Sequence, residues 1–438
     1  MKNSKQAVIL AGGMGARLKG ISGNTPKPMM HVLGKPILQH IIEQCAKNDF
    51  IDIWLLVSYG ADIIERYFGN GSHYGVSIHY YRDDIPMGTA GALFNVLPNL
   101  DNFFLVLYGD TYFDVNLNNI WNFHQINNAD ATLFVHPNDH PYDSDLVELS
   151  DDNKITNIHN YPHDKSWKRN LVNAAIYVIS RSALVGIEFS SNKRDIAKDL
   201  FPIMIKKGNK LCGYISTEYI KDMGTPDRLA SVESDISSGK VTKLRCNSKK
   251  RALFLDRDGV VNKEVNYLSS PDQFELINGV GNAIHQLNLA GILVVIVTNQ
   301  PIIARGELNN FGLRIIHNKM DTLLALEKAY IDHIYFCPHH PDQGFKGEVE
   351  SLKIECKCRK PQPGLLLQAA QEMGISLQDS WLVGDRTADL LAGKCAGVKT
   401  ILVKTGYAGK DGKYFVKPDF IVDNLSKAVD LVLNDGNN

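Results

Sequence analysis

The stretch that decides the fold of the second half of the chain is Arg251-Ala-Leu-Phe-Leu-Asp256-Arg-Asp258-Gly259-Val260. Its apolar run is typical of a buried β-strand and ends on two acidic residues, and a glycine then permits a sharp turn. Because residues i and i+2 of an extended segment point the same way, the carboxylates of Asp256 and Asp258 are predicted to converge just beyond the strand. Ligands of open α/β sheets bind at that end. A cation with oxygen ligands, such as Mg²⁺, would hold the carboxylates together, and an ordinary acidic turn is the alternative.

Length and composition limit the class of protein. A chain of 438 residues is too long for one core, so two or three domains are expected. The hydrophobic content of 44%, the charged content of 22% and the net charge of −1 indicate a globular protein without general attraction to nucleic acid or membrane. Apolar runs are too short for a membrane span or a signal peptide, so a cytoplasmic location is predicted. Seven cysteines favour reduced thiols or a metal site over disulfides.

The first half opens with a short predicted strand that runs into a glycine-rich loop. The strand is Ala7-Val-Ile-Leu10, and the loop after it carries Gly12, Gly13, Gly15, Arg17 and Lys27. Backbone N–H groups of such a loop suit phosphate, although the pattern is neither a dinucleotide fingerprint nor a P-loop. Prolines on both sides of Lys27 restrict its backbone. Fixed cations and N–H donors suit a polyphosphate that is attacked at one phosphorus, and a plain loop is the alternative.

The motifs of the first half resemble those of the sugar-1-phosphate nucleotidylyltransferases. They are Leu10-Ala-Gly-Gly-Met-Gly-Ala-Arg-Leu18, Thr25-Pro-Lys-Pro-Met29, Pro86-Met-Gly-Thr-Ala-Gly-Ala-Leu93, Phe103-Phe-Leu-Val-Leu-Tyr-Gly-Asp110, Asn173-Ala-Ala-Ile-Tyr-Val178 and Lys221-Asp-Met-Gly-Thr-Pro226. The resemblance implies a Rossmann-like α/β domain with a mixed sheet, in which Arg17 and Lys27 are catalytic and the three loop glycines bind substrate. It also implies the following roles: Mg²⁺ ligands at Asp110 and Asp222, a nucleotide-base loop at Gly88 and Thr89, and a substrate contact at Asn173.

Some positions of this half leave alternatives open. Taken alone, Asp110 and Asp222 each fit a solvated loop acid or a helix cap better than a metal ligand. Where the family usually has Glu-Lys-Pro, this chain reads His159-Asn-Tyr-Pro-His163, so the lysine that contacts the sugar phosphate is unassigned, with Lys165 nearby. Ile85 stands where an acid is common in the family, and the loop does not identify the base.

The boundary between the halves is predicted from a change in composition. Residues 240–250 are polar and basic and have no apolar periodicity, which indicates a linker or a short edge strand plus linker. The predicted domains are therefore residues 1–239 and 251–438. The basic residues of the linker are interpreted as solvated rather than as a nucleic-acid site.

The second half continues with polar residues at predicted strand ends. Thr298 and Asn299 end an apolar run, Arg359 and Lys360 precede a proline-started helix, and Asp385 ends a third run. Acids, a hydroxyl and a lysine at strand ends are the parts needed for phosphoryl transfer through an aspartyl phosphate.

These residues resemble the four sequence motifs of the haloacid-dehalogenase-like phosphatases. Members of that family have a parallel sheet and use Mg²⁺. The resemblance makes Asp256 the nucleophile and a metal ligand, and Asp258 the acid/base and a further ligand. Thr298 and Lys360 become the phosphate holders, and Asp385 a metal ligand.

Two close pairs of metal-ligating residue types lie in the same half. They are Cys337 with His339, and Cys356 with Cys358. Three thiolates and one imidazole make a closed tetrahedral Zn²⁺ site, which is structural because no position remains open. Coincidentally buried cysteines are the alternative.

The zinc pattern and the flanking motifs resemble the D,D-heptose 1,7-bisphosphate phosphatases, with histidinol-phosphate phosphatases as the nearest rival. In this resemblance Asn299, Arg305 and Arg359 bind substrate. The chain departs from the family in the sixteen residues between His339 and Cys356, a longer loop than expected. It also has Pro301 and Ile302 where relatives have Ser-Gly, so an altered substrate loop is predicted.

Together the two resemblances imply a bifunctional enzyme of GDP-D-glycero-α-D-manno-heptose synthesis, which feeds bacterial surface glycans such as lipopolysaccharide. It would dephosphorylate heptose 1,7-bisphosphate and transfer GMP from GTP to heptose 1-phosphate, with Mg²⁺ in both sites, structural Zn²⁺ in the phosphatase, and neither nucleic acid nor membrane as partner. The alternatives are an NDP-sugar synthase of other base or sugar specificity joined to a different phosphatase, and a chain in which one half has become a non-catalytic module. The base, the anomer, homo-oligomerisation and transfer of intermediate between sites stay open.

Overall fold

The computed structural model describes residues 5–13, 25–83, 86–188 and 193–435. Two residues of the predicted first site, Gly15 and Arg17, lie outside these ranges. The chain groups into two compact units. The first contains residues 1–136, 143–163 and 171–245, and the second contains residues 137–142, 164–170 and 246–438.

The first unit is built on a mixed sheet, as predicted, and this sheet has nine strands among the described residues. Its strands are β1 Lys5–Leu10, β4 Phe50–Val57, β5 Ser77–Arg82, β6 Phe103–Tyr108, β8 Ala131–His136, β9 Leu146–Leu149, β10 Ile155–His159, β11 Val172–Ser180 and β12 Leu211–Ile215. The order along the sheet is β10-β9-β11-β6-β1-β4-β5, with β8 pairing β11 and β12. Strands β6, β1, β4 and β5 are parallel, whereas β11 runs antiparallel to β6. The apolar residues of the central strands form the core. Because β1 and β6 are adjacent and parallel, the loops that follow them lie at the same edge of the sheet.

Two small ribbons and seven helices among the described residues complete this unit. The ribbons pair β2 His31–Val32 with β3 Lys35–Pro36 and β7 Thr111–Asp114 with β13 Tyr219–Asp222. The helices are α1 Ile37–Lys47, α2 Ala61–Phe68, α3 Gly88–Val96, α4 Leu117–Ile126, α5 Phe201–Lys206, α6 Pro226–Ser237 and α7 Lys240–Lys243. Helix α7 occupies the start of the predicted linker, where Val241 and Leu244 are buried.

The second unit has a six-stranded sheet in which every pairing is parallel, as predicted. The strands are β14 Ala252–Leu255, β15 Leu293–Asn299, β16 His333–Cys337, β17 Trp381–Gly384, β18 Lys399–Val403 and β19 Phe420–Val422, in the order β16-β15-β14-β17-β18-β19. The helices are α8 Val280–Ala290, α9 Pro301–Ala304, α10 Asn310–Ala325, α11 Gly364–Met373, α12 Thr387–Ala396 and α13 Leu425–Asn434. Strand β14 lies centrally between β15 and β17, so the residues after these three strands share one edge of the sheet.

No helix within the described ranges combines the length and the apolar character that a bilayer crossing requires.

Candidate active sites

The end of β14 forms the centre of the site in the second unit. Asp256 directly follows this strand, Thr298 lies in β15, and Asp385 directly follows β17. All three are at least 93% buried, and the same cavity of about 340 Å³ is lined by Asp256, Asp258 and Thr298. The parallel pairing of the three strands therefore brings the predicted nucleophile Asp256, the hydroxyl of Thr298 and the carboxylate of Asp385 to one edge of the sheet.

Lys360 is the cation of this site. Its Nζ lies 2.9 Å from Asp256 Oδ1 and 2.6 Å from Asp389 Oδ1, and it donates to the Val297 carbonyl at 2.8 Å. Burial alone would lower the pKa of Lys360, but the carboxylates of Asp256 and Asp389 raise it overall, so the ammonium stays charged. The side-chain amide of Asn299 accepts from Lys360 N and donates to Lys360 O, both at 3.0 Å. Asn299 thus fixes the lysine segment in addition to lining the cavity.

Three buried carboxylates could hold a cation. Oxygens of Asp256, Asp385 and Asp389 all lie within 4.8 Å of one another. Burial, together with the negative charges of Asp389 and Asp256, raises the pKa of Asp385 to about 8. Its Oδ1 is buried and has no hydrogen-bond partner among the described residues. Clustered carboxylates with an unsatisfied oxygen fit a hard divalent cation such as Mg²⁺.

Two glycines make room for the Asp385 carboxylate. A Cβ at Gly259 would lie 2.4 Å from Asp385 Oδ2, and one at Gly406 would lie 2.1 Å from the same oxygen. Gly259 also has φ of +80°, as the predicted sharp turn after Asp258 requires. Larger residues at either position would displace the carboxylate.

Asp389 was not among the predicted metal ligands. It lies in the first turn of α12, and its side chain also accepts from Arg386 N. The sequence carries a signal for it, because Asp389 stands one helical turn beyond Asp385. The predicted ligand Asp258 is not in the three-carboxylate group, and its role as a ligand stays a prediction.

The carboxylate of Asp258 is held by several donors. Arg257 NH2 contacts Asp258 Oδ2 at 2.8 Å, Asn262 Nδ2 contacts Oδ1 at 3.0 Å, and Gln300 Nε2 contacts Oδ2 at 3.0 Å. Gln300 Nε2 also donates to Thr298 Oγ1 at 2.9 Å, which links the predicted acid/base to the predicted phosphate holder. The sequence reasoning did not identify Arg257 and Gln300. In the sequence, the one feature that pointed to Arg257 and Gln300 was their position directly beside the predicted catalytic residues.

The predicted substrate arginines occupy different surroundings. Arg359 lines the cavity, and its NH1 donates to the carbonyl of His339 at 3.1 Å. Arg305 is 9% exposed, and its guanidinium lies 3.9 Å from the ring centroid of Tyr267 and 4.4 Å from that of Phe345. Stacking between two rings fixes the plane of this guanidinium.

The four predicted zinc ligands come together. Ligand atoms of Cys337, His339, Cys356 and Cys358 all lie within 4.8 Å of one another. The sulfur of Cys358 lies 3.3 Å from that of Cys337 and 3.1 Å from that of Cys356, and His339 Nδ1 lies 3.3 Å from the Cys358 sulfur. Thiolates at 2.3 Å around tetrahedral Zn²⁺ would be about 3.8 Å apart, so the contracted cluster needs only a small expansion to hold the ion. The residues therefore fit a metal.

In the first unit, the loops after β1 and β6 meet. Gly109 N donates to Leu10 O at 3.0 Å, and Asp110 follows directly. Lys27 Nζ lies 2.5 Å from Asp110 Oδ2. Gly12 approaches Ser58, where an added Cβ would lie 3.2 Å from that serine's Cβ. The predicted lysine, the first predicted metal ligand and the start of the glycine loop are thus neighbours.

Asp222 reaches the same region through the two-stranded ribbon. It pairs with Thr111 in the antiparallel register of β13 and β7, and Met223 N donates to Asp110 O at 3.0 Å. The two aspartates therefore project from adjacent backbone segments, and both are partly exposed. Two carboxylates at an open site fit Mg²⁺, which commonly takes one or two carboxylates and completes its shell with water and substrate phosphates.

The predicted base loop is fixed against the residues before a π-helical turn at Ile196–Leu200. Gly88 has φ of +75°, and a Cβ there would lie 2.2 Å from Arg194 O. Thr89 Oγ1 donates to Asp195 Oδ2 at 3.0 Å and accepts from Ile196 N at 2.8 Å. The hydroxyl of Thr89 thus holds this loop against Asp195 and Ile196. Asn173 lies in β11, where its Oδ1 accepts from Ala175 N at 3.2 Å. The binding roles of Gly88, Thr89 and Asn173 stay predictions.

Two family profiles match the chain. The nucleotidyl transferase family matches residues 6–239, more than half of the 438 residues, and the HAD-hydrolase-like family matches residues 357–428. The D-glycero-β-D-manno-heptose-1,7-bisphosphate 7-phosphatase of Pasteurella multocida is 42% identical over 185 residues, which are 42% of this chain and 97% of that protein. The enzyme of the same name from Escherichia coli K12 is 40% identical over 184 residues, covering 42% and 88% of the two chains. Both predicted resemblances are confirmed.

Solved structures with similar folds cover one half each. HddC from Yersinia pseudotuberculosis, complexed with GMP-PN, has a TM-score of 0.46 at 24% identity and covers 53% of this chain and 99% of that chain. D,D-heptose 1,7-bisphosphate phosphatase from B. bronchiseptica, complexed with magnesium and phosphate, has a TM-score of 0.38 at 33% identity, with coverages of 42% and 99%.

Proposed function

Because the chain belongs to the nucleotidyl transferase family and, through its second half, to the heptose-1,7-bisphosphate 7-phosphatases, we propose that it is a bifunctional enzyme of activated-heptose synthesis. Residues 251–438 remove the 7-phosphate of heptose 1,7-bisphosphate. Residues 1–239, joined to them by residues 240–250, transfer a nucleotide to the resulting heptose 1-phosphate and release pyrophosphate. The observation that carries the proposal is that a phosphatase relative whose product is a sugar 1-phosphate matches the same chain as a nucleotidyl transferase. We assign GTP as the nucleotide and the cytoplasm as the location.

The phosphatase chemistry follows from the buried residues around β14. Asp256 attacks the phosphorus of the 7-phosphate, the bond from phosphorus to the C7 oxygen breaks, and the phosphate is carried on the Asp256 carboxylate. Asp258 protonates the leaving C7 oxygen and then takes a proton from the water that hydrolyses the aspartyl phosphate. Lys360 and Thr298 hold the phosphate oxygens during both steps.

In the first site, an oxygen of heptose 1-phosphate attacks the α-phosphorus of GTP in line with the departing pyrophosphate. Lys27 and Arg17 neutralise the charge that grows on the phosphate oxygens. The backbone N–H groups of Gly12, Gly13 and Gly15 bind the triphosphate.

Metal ions complete both sites in this proposal. Asp256, Asp385 and Asp389 would hold Mg²⁺ beside Asp258, and Asp110 with Asp222 would hold it in the first site. When bound, Mg²⁺ supplies charge neutralisation at the phosphate oxygens. Cys337, His339, Cys356 and Cys358 would hold structural Zn²⁺.

The nucleotide base and the heptose anomer are the most specific parts of the proposal. We assign GDP-D-glycero-α-D-manno-heptose as product, because family precedent joins this phosphatase to a guanylyltransferase for the α-anomer. The curated relatives are named for the β-anomer, which favours the β-bisphosphate as a second candidate substrate.

The proposal is tested by offering the purified full-length chain α- or β-heptose 1,7-bisphosphate with each of the four NTPs. The α-anomer with GTP is expected to give phosphate, pyrophosphate and a GDP-sugar. A site that hydrogen-bonds guanine should prefer GTP by more than about a hundredfold, since the wrong base leaves buried polar groups unpaired. Equal rates with ATP or UTP would remove the GDP assignment, and faster turnover of the β-anomer would remove the α assignment. Phosphate release without nucleotidyl transfer from any NTP would contradict the bifunctional proposal.

A further inference from the structure

Arg228 holds the second predicted metal ligand of the first unit. This residue lies in α6, and its side chain is 15% exposed. Its NH1 contacts both carboxylate oxygens of Asp222, at 2.9 Å and 2.8 Å. Its NH2 contacts Asp143 Oδ2 at 2.6 Å. One guanidinium therefore bridges two carboxylates that are far apart in the sequence.

This contact competes directly with a metal ion for Asp222. Mg²⁺ on Asp222 would draw on the same two oxygens that now accept from the guanidinium, and two positive charges at one carboxylate repel each other, so each cation weakens the binding of the other. Asp222 Oδ2 also accepts from Gly224 N at 3.1 Å. Release of the arginine would therefore remove its contacts to the carboxylate, while the Gly224 N–H would still orient it through Oδ2.

Asp143 provides the second acceptor that such a release requires. Its carboxylate is 35% exposed and already binds the other nitrogen of the guanidinium. Rotation of Arg228 toward Asp143 would keep the charge paired while Asp222 turns to the metal.

We propose that Arg228 is a positioning residue for metal binding: it holds Asp222 while the cation is absent and shifts its hydrogen bonds to Asp143 when the cation binds. The inference rests on the proposed nucleotidyl transfer, because it takes Asp222 as a metal ligand of that reaction. It makes the arginine and the cation alternative partners of one carboxylate, so substitutions of Arg228 and of Asp143 should change metal affinity in opposite directions.

The test is a Mn²⁺ titration of the full-length chain, followed by water proton relaxation, which detects weak binding. All variants carry Asp385→Asn to weaken the cation site of the second unit. The Mn²⁺ binding of the Asp385→Asn chain that disappears when Asp222→Asn is added is the binding that depends on Asp222. Added Arg228→Gln should tighten this component by roughly threefold to tenfold, because a competing cation is removed. Added Asp143→Asn should weaken it by about threefold or more, because Arg228 then loses the carboxylate that its NH2 contacts and holds Asp222 more strongly.

Opposite shifts in the two variants support the proposal when Asp143→Asn has no further effect in the Arg228→Gln background, because Asp143 then acts through the arginine. An equal effect of Asp143→Asn in both backgrounds is the plain loss of a negative charge and overturns the proposal. Shifts in the same direction, or none, overturn it and leave the nucleotidyl transfer intact. If the Asp385→Asn chain and the same chain with Asp222→Asn bind Mn²⁺ equally, Asp222 is not a metal ligand. The metal assignment of the first site in the proposed function then fails as well. If Arg228→Gln lowers the melting temperature and does not fold, Arg228→Met takes its place. Because methionine keeps an aliphatic side chain without the positive charge, this variant should also tighten binding, and unchanged or weaker binding overturns the proposal.

Discussion

Arg257 is completely buried, with 0% of its surface exposed, and stands between Asp256 and Asp258 in the sequence. Its guanidinium contacts Asp258 through Nε and NH2, and NH2 also donates to Gln300 Oε1 at 3.2 Å. A fixed cation beside Asp258 determines the direction in which this carboxylate presents its oxygens. Arg257 touches the predicted acid/base but lies outside the cavity lining, so it acts through Asp258.

We expect Arg257→Gln to lower kcat for phosphate release by about a hundredfold with little change in KM, because the contribution of a positioned acid/base is of this size. Arg257→Lys, which keeps the charge, should recover part of the rate. The measurement is a double-mutant cycle with Asp258→Asn. If Arg257 acts through Asp258, Arg257→Gln costs nothing further in the Asp258→Asn background. Additive losses in folded variants would show a separate role.

At this scale the sequence was informative wherever a residue belonged to a local motif. Asp256 and Thr298 line one cavity because strand ends of a parallel sheet share an edge, and Lys360 lines the same cavity from a loop. The four predicted zinc ligands lie together as two close pairs of the sequence, and the roles of all these residues stay predictions. The pairing of Arg228 with Asp143 could not be predicted, since residues 85 positions apart leave no local pattern.

At the scale of elements, the zinc loop follows β16 and returns to the catalytic segment. Cys358 is directly followed by Arg359 and Lys360, so the Cys/His cluster fixes the start of the segment whose two cationic side chains line the cavity. Within the loop, Lys353 has a side chain that is 1% exposed and contacts Glu348 at 3.2 Å. The longer loop noted in the sequence therefore has an ion pair of its own.

Cys356→Ser and Cys358→Ser should each lose zinc and local stability before they lose chemistry. Binding energy of a structural zinc is also folding energy, so the melting temperature should fall by about 5 °C or more. Cys395→Ser is the matched control, because this exposed cysteine stands apart from the cluster and should change neither property. Metal analysis by mass spectrometry and thermal unfolding check both expectations. Well-purified wild-type protein without zinc would remove the assignment.

Helix α4 is joined to the first sheet by a buried histidine. His124 is 0% exposed, with Nδ1 2.9 Å from Thr132 Oγ1 and Nε2 3.1 Å from Ser180 Oγ. Burial lowers the pKa of His124 from 6.5 to about 4, and the nearby Asp130 only partly opposes this. The folded protein therefore holds a neutral imidazole, whereas the unfolded chain takes up a proton near pH 6.5.

The lowered pKa of His124 gives stability that is present above pH 6.5 and lost as the pH falls toward 4. Between pH 7 and pH 5 its contribution should drop by about 2 kcal/mol. His124→Gln cannot take up this proton, so its unfolding free energy should depend less steeply on pH than that of the wild type. Denaturant unfolding at pH 7, 6 and 5, monitored in both proteins, measures the difference. Parallel curves would contradict a neutral buried His124.

Helix α7 shows where element prediction from the sequence fails. Residues 240–250 read as a polar linker, yet Lys240–Lys243 is helical. A helix of four residues has almost no amphipathic pattern, and its stability comes from burial of Val241 and Leu244 rather than from local propensity. The long apolar strands were predictable because their burial is visible in the sequence itself.

At the scale of the whole molecule, the proposed reactions use two separate sets of residues. The phosphatase set surrounds β14 in the second unit, and the nucleotidyl transfer set surrounds the ends of β1 and β6 in the first. Each unit has its own sheet and its own hydrophobic core. A substitution that removes one reacting group should therefore leave the other chemistry in place.

Asp256→Asn should stop phosphate release, because an amide cannot attack phosphorus as the carboxylate does, while nucleotidyl transfer to supplied heptose 1-phosphate stays within about twofold of wild type. Lys27→Ala should have the reciprocal effect. It removes the cation that contacts Asp110, so transfer should fall by about a hundredfold or more while release of the 7-phosphate continues. Each variant is the control for the other, and both activities are measured separately in full-length protein of unchanged melting temperature. Heptose 1,7-bisphosphate given to Lys27→Ala should accumulate as the 1-phosphate, and given to Asp256→Asn it should stay unconverted. Equal loss of both activities in either folded variant would contradict two independent sites.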